Sequence, residues 1–309
     1  MASKINNARH YCERLFLEGG PFFHLHTKPL LTTLLFRDEE ELNLALNLIA
    51  LAVYASGVRL LAFAIMNNHL HFILEGSWDC CLAFYQDFQR RLTGVYFKKK
   101  RAADVKAAEP SFTPISSLLQ LRDEIAYVVR NPFVAAQNVH LFSYKWCSGY
   151  LYFNGIRELL PKGIPATQLS YNQKRAFKHE RGVDLDERIR VLDGVALASS
   201  FTDYERAMSF FENSRQFVHW LLKNVESQVA IAKRLGETIT LDDTELWSVV
   251  YSLCRDTYHV PSPKELSGEA LATFRRTLKY DYNASNAQIA RCTGASPAAI
   301  DEMFPLNAR

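Results

Sequence analysis

The run from Val58 to Met66 (VRLLAFAIM) constrains the fold of this chain more than any other segment. It is apolar except at Arg59, and it reads as a strand buried on both faces at the centre of a sheet. Asn67-Asn68 follows as a tight turn, and His69 to Glu75 (HLHFILE) returns as a second strand. Upstream, Phe22 to Thr27 (FFHLHT) reads as a short strand. Asp38, with Glu41 three residues on, forms a capping box that opens a helix, and Gly57 stops it. Downstream, a helix is expected from about Ser77 to Phe97. After a polar, alanine-rich loop (Arg101 to Pro110), another spans about Leu121 to Arg130 and should end before Pro132, because proline disfavours helix in the residue before it. This order predicts an α+β domain, an antiparallel sheet with helices on one face.

From Pro161 to about Thr202 the sequence is polar and gives little sign of regular structure. Tyr204–Lys233, Asp242–Thr257 and Pro263–Tyr280 then read as helices, so an all-α C-terminal domain is expected. The boundary is placed near Asn154–Pro161, giving domains of residues 1–155 and 156–309. At 48% hydrophobic and 22% charged, the chain has ample material for a core. The net charge of +3 sits wholly in the first half, where 16 Lys/Arg face 13 Asp/Glu, against 20 and 20 in residues 151–309. None of the six cysteines forms a C-x-x-C pair, which argues for reduced thiols in a cytosolic protein over a zinc knuckle or disulfide framework. The N-terminus lacks a signal-peptide apolar core. The most apolar stretch, Leu42 to Leu61, is broken by Asn43, Asn47, Gly57 and Arg59, so no membrane span is expected and the location is read as cytoplasmic.

Chemistry enters at His69 and His71. Strand side chains alternate, so both imidazoles share one face while Leu70 and Phe72 point into the core. Two histidines so placed can grip a divalent cation. The pattern alone is weak, and His24-Leu25-His26 is a second copy of it. Tyr127 and Asn131 stand i, i+4 on a short helix and share a face. An amide oxygen at Asn131 would supply a third ligand, with the Tyr127 phenol one turn away. Mg2+ suits oxygen donors, and Mn2+ tolerates imidazole better. Read alone, Tyr127 is as simply a core aromatic, and Asn131 the end of a helix before proline.

Together these segments resemble a known family. Ile65-Met66-Asn67-Asn68-His69-Leu70-His71-Phe72-Ile73-Leu74 resembles the strand-turn-strand signature of the HUH single-tyrosine transposases. It is most like the REP-associated tyrosine transposases, whose motif reads roughly Met-Pro-Asn-His-Val-His. Tyr127-Val128-Val129-Arg130-Asn131-Pro132 resembles that family's Tyr-Ile-x-x-Asn-Pro, and the likeness continues through Val134-Ala135-Ala136 and Tyr144 to Tyr150. Phe23-His24-Leu25-His26-Thr27 has the look of its first strand, so the resemblance covers about residues 20–153. It implies a ferredoxin-like HUH catalytic domain, with His69, His71 and Asn131 holding Mg2+ or Mn2+ and Tyr127 as nucleophile. The implied activity is nicking and rejoining of single-stranded, hairpin-forming DNA through a 5′-phosphotyrosine, by a monomer or homodimer. Asn67 departs from the family's proline and Ala136 from its frequent glycine.

The run Phe88 to Arg101 carries Arg90, Arg91, Lys98, Lys99, Lys100 and Arg101 with no acidic residue. It is read as a DNA-binding stretch, with Tyr96 and Phe97 available to stack on unpaired bases. Near the end, Asn286 to Ile300 resembles a helix-turn-helix, in which Gly294 permits the turn and Ser296-Pro297 opens the second helix. That second helix carries Asp301 and Glu302 and no Lys or Arg, a poor surface against phosphate. Two other readings compete with the transposase. One is a domesticated DNA-binding protein that keeps the fold without mobilising DNA. The other is a metallohydrolase using metal-bound water, for which the sequence offers no further His/Asp ligand pattern.

Overall fold

Asp38 begins α2 (Glu39–Ser56) as the sequence predicts, its carboxylate accepting the Glu41 amide at 2.9 Å, and Gly57 closes the helix in the left-handed conformation, φ 70°. The computed structural model describes residues 2–30, 33–135, 143–153, 160–180, 184–223, 225–237, 241 and 243–305. Around α2 the first part of the chain runs α1 (Ala2–Glu18), β1 (Phe22–Thr27), then β2 (Arg59–Ile65), β3 (Leu70–Glu75), α3 (Trp78–Lys98), α4 (Ala102–Ala107), β4 (Pro110–Ile115) and α5 (Leu118–Ala135). The stretch expected to be a loop from Arg101 to Pro110 instead holds α4 and leads into β4. The four strands form one antiparallel sheet in the order β2-β3-β1-β4.

The Val58–Met66 run therefore forms an edge strand, and β3 and β1 are central. The edge is nonetheless dry, because the chain covers it. The Ile65 amide donates to the Trp146 carbonyl at 2.9 Å, the Asp203 amide to Leu60 at 2.8 Å, and the Tyr152 hydroxyl to Leu61 at 2.5 Å. Covering an edge strand's unpaired groups removes the pull toward water that usually makes such strands polar. A bulge between Leu60 and Ala62 turns Leu61 and Ala62 to the same side.

Helices cover both faces of the sheet, not one. On the first face Leu25, Phe63, Leu70 and Phe72 pack under α2 and α3, where Phe84, Phe88, Leu92 and Tyr96 recur at helical spacing. On the second face Phe22, Leu61, Ala64 and Ile73 meet Leu121, Ile125, Val128 and Val129 of α5, joined by Phe210, Phe217 and Leu221. That α5 continues through Pro132, where it was expected to stop, costs one intrahelical hydrogen bond.

The chain divides into two compact units, one of Met1–Phe133 and Asn138–Leu221, the other of Val134–Gln137 and Leu222–Arg309. This division lies well beyond the 155/156 boundary expected from sequence, because residues 160–221 pack onto the sheet domain. They include β5 (Ile164–Pro165), β6 (Arg190–Leu192) and β7 (Val195–Ala196), a small antiparallel sheet that departs from the all-α expectation for 156–309. Asn47 of α2 fastens it, accepting from the Ala196 amide at 2.7 Å and donating to the Gly194 carbonyl at 2.9 Å. Also in this region are α6 (Tyr171–Lys178), α7 (Tyr204–Ser209) and α8 (Ser214–Lys223).

The second unit is helical among its described residues: α9 (Val225–Leu235), α10 (Asp243–Ser252), α11 (Gly268–Arg276), α12 (Asn286–Thr293) and α13 (Pro297–Met303). As expected for the C-terminal motif, Ser296 caps α13 and Gly294 turns before it at φ 66°, while Ser285 caps α12. Ile300 is buried, Met303 is half-buried, and Asp301 and Glu302 face solvent. No helix among the described residues is long and apolar enough to cross a membrane.

Candidate metal and nucleophile site

The second face of the sheet carries histidines on neighbouring strands. The turn at Asn67-Asn68 is closed by the Met66 amide on the His69 carbonyl at 2.9 Å, which fixes where His69 enters β3. Pairing of His26 with His71 and of His24 with Ile73 then sets His24, His26, His69 and His71 on one surface. The His69 and His71 rings lie 4.9 Å apart and nearly perpendicular, with a ring nitrogen of each within 4.8 Å of the other's.

Helix α5 lies over this surface and supplies Glu124, Tyr127 and Asn131 from one face, at i, i+3 and i+7. The Asn131 Nδ2 sits 3.3 Å from His71 Nε2. The Tyr127 ring stands edge-on to His71 with centroids 5.6 Å apart, and 6.3 Å from His24. The structure thus brings together all four residues singled out by the motifs: His69, His71, Tyr127 and Asn131. Tyr127 is only 4% exposed, so a phosphate reaches its hydroxyl only after local movement.

The electrostatics favour neutral imidazoles. Burial pushes His69 down to about 4, slightly offset by the neighbouring Asn131 amide. Burial also drives His71 well below its ordinary value, with His69, His24 and His26 adding to the effect. A neutral imidazole keeps the lone pair that a metal needs. The Asn68 side chain lies 2.7 Å from His69 Nδ1, while His69 Nε2 is buried without a hydrogen-bond partner among the described residues. Such an orphaned acceptor carries a cost that a cation would remove. Two imidazoles and an amide fit a divalent ion that tolerates nitrogen, Mn2+ before Mg2+. For Asn131 to offer oxygen there, its amide must turn over, since nitrogen now faces His71.

No family model matches the chain, and neither a curated protein nor a solved structure does. The likeness to the single-tyrosine transposases therefore rests on the motif residues. Of its two departures, Asn67 leaves the turn closed, and Ala136 lies outside the described residues.

The expected DNA-binding run is placed differently. It lies on α3 and just beyond, across the sheet from the histidines. Arg90 pairs with Glu180 and Asp87, both at 2.7 Å, and buried Arg91 holds Asp87 at 2.6 Å and Glu180 at 3.1 Å. Arg101 is buried against Glu41 at 2.7 Å and Asp104 at 2.8 Å, and Lys99 reaches Glu41 at 3.0 Å. These four cations already have acidic partners within the protein, although Arg90 and Lys99 stay exposed, as do Lys98 and Lys100. Tyr96 is wholly buried, its hydroxyl donating to the Leu35 carbonyl at 2.7 Å, and so is withdrawn from base stacking, whereas Phe97 is exposed. Asp87 and Asp104 flank the run in sequence, but Glu41 and Glu180 lie far from it, so charge composition alone does not show the pairing.

Sequence reasoning missed His24 and Glu124. His24-Leu25-His26 was visible as a second H-x-H, but only the β1–β3 pairing shows that both copies share a face. Glu124 was legible only as i−3 from Tyr127 on the same helix.

Proposed function

We propose that this chain is a metal-dependent endonuclease and strand transferase of the single-tyrosine type, acting on single-stranded DNA. The observation that carries the reading is the placement of a phenol, two neutral imidazoles and an amide side by side on one sheet face. A divalent cation held by His69, His71 and Asn131 would offset the charge on a non-bridging phosphate oxygen. Tyr127 supplies the nucleophile. Its oxygen bonds to phosphorus as the bond to the 3′ oxygen breaks, the phenol proton leaves, and the departing oxygen takes up a proton as a free 3′-hydroxyl. The 5′-phosphotyrosine keeps the bond energy, so a second 3′-hydroxyl can reverse the step and join strands without a nucleotide cofactor.

A single strand suits this site better than a duplex. Tyr127 is set deep, and a phosphate must turn sharply to meet it. Duplex DNA resists tight bending at a cost of several kcal/mol, on the order of 1–6, whereas an unpaired strand bends freely. A hairpin beside the scissile phosphate would set the register.

The test incubates the protein and Mn2+ with labelled single strands flanked by hairpins. Denaturation-resistant protein–DNA adducts are expected, lost on chelation and lost in Tyr127→Phe, with the variant's folding unchanged. Undiminished adduct in Tyr127→Phe would contradict the assignment.

A further inference from the structure

Behind the two histidine ligands lies a buried hydrogen-bonded chain that no motif required. Glu124 is fully buried on α5, and its Oε2 lies 2.7 Å from Nδ1 of His24, itself fully buried on β1. Nε2 of His24 lies 3.1 Å from Nδ1 of His71. The carboxylate oxygen accepts from Nδ1–H of His24, whose Nε2 then accepts from Nδ1–H of His71, leaving His71 Nε2 bare.

Asn131 agrees with this arrangement. Its Nδ2, a donor, stands 3.3 Å from His71 Nε2. A hydrogen on that nitrogen would set donor against donor, whereas a bare lone pair receives the amide. This arrangement leaves Nε2 able to bind a cation.

We infer that Glu124 and His24 are positioning residues that fix the tautomer of His71 and aim its Nε2 lone pair at the metal. The inference rests on the metal reading proposed above. A carboxylate behind a ligating imidazole fixes the ring's orientation and raises its basicity. Here the carboxylate acts through a second imidazole, and α5 carries that carboxylate together with Tyr127 and Asn131. One helix therefore sets the nucleophile, one ligand and the orientation of another ligand, so a displacement of α5 disturbs all three together.

The test has two arms. In metal-free wild-type protein, side-chain 15N NMR should report His71 protonated at Nδ1 and bare at Nε2. The opposite tautomer would overturn the inference, and this arm needs no variant to fold. In the second arm, Mn2+ binding is titrated by electron paramagnetic resonance for wild type, Glu124→Gln, His24→Gln and His71→Ala. Affinity should fall about 10- to 100-fold in Glu124→Gln and His24→Gln, and further in His71→Ala. Wild-type affinity in both relay variants, with loss in His71→Ala, would overturn the relay and leave the metal site standing. If wild type binds Mn2+ no better than His71→Ala, the metal reading falls and the relay with it.

Discussion

At the residue scale, the same side-chain type does opposite work on the two faces of the sheet. Glu124 is buried against His24 beside the candidate site, whereas Glu41 is buried under cations. Burial pushes the Glu41 carboxyl up, but Arg101, the Arg37 amide and Lys99 outweigh it and hold the group down at about 2. Its folded value lies below its ordinary one near 4.5, so its stabilisation is complete above that pH and disappears as pH falls toward 2. Acid unfolding followed by circular dichroism should show this loss between about pH 4.5 and 2, and Arg101→Met should remove most of it. Arg101→Met should also lower neutral-pH stability by roughly 1.5–3 kcal/mol, because it removes charged hydrogen bonds from a buried carboxylate that keeps Lys99. An Arg101→Met variant with wild-type acid stability would show that the pair is not structural.

At the element scale, the helix and strand patterns of the N-terminal half were largely legible in the sequence, and their neighbours were not. The capping signals at Asp38 and Gly57 and the alternation of His69, Leu70, His71 and Phe72 act locally, so they can be read without knowing the partner strand. The apolar run at Val58 to Met66 misled in a specific way, because its edge position is hidden by a segment some 80 residues later. The β4 strand escaped notice because Pro110 and Pro114 flank little apolar alternation, which is tolerable at an edge. The histidine pair of the candidate site was visible in advance, but its surroundings were not, since Glu124 and His24 are 100 residues apart and meet only when α5 covers the sheet. The covering of β2 has a measurable consequence. Tyr152→Phe removes the hydroxyl that satisfies the Leu61 carbonyl and bonds Ser148 at 3.1 Å, so it should cost about 1–3 kcal/mol in urea unfolding. An unchanged midpoint would mean that the edge is satisfied without it.

At the scale of the whole molecule, the first unit needs residues that sequence alone assigned to a second domain. Phe210, Phe217 and Leu221 are at most 1% exposed in the second-face core, and each contributes roughly 1.5–3 kcal/mol by burial. Together with the cover over β2, that is comparable with the whole margin of a domain stable by about 5–15 kcal/mol. A fragment of residues 1–221 should therefore melt cooperatively, while one of residues 1–155 should not fold; a cooperative melt from the shorter fragment would overturn the division. The function rests on a smaller set of atoms. Burial raises the phenols of the rival nucleophiles Tyr144, Tyr150 and Tyr152 above their ordinary range, and Tyr144 and Tyr152 are tied to the Ile65 and Leu61 carbonyls. Tyr127 alone of these stands against His71. The most direct measurement digests the covalent protein–DNA adduct with nuclease and protease and locates the retained nucleotide by mass spectrometry. The account predicts a single 5′-phosphonucleotide on the peptide containing Tyr127. A nucleotide on Tyr144, Tyr150 or Tyr152 would contradict it.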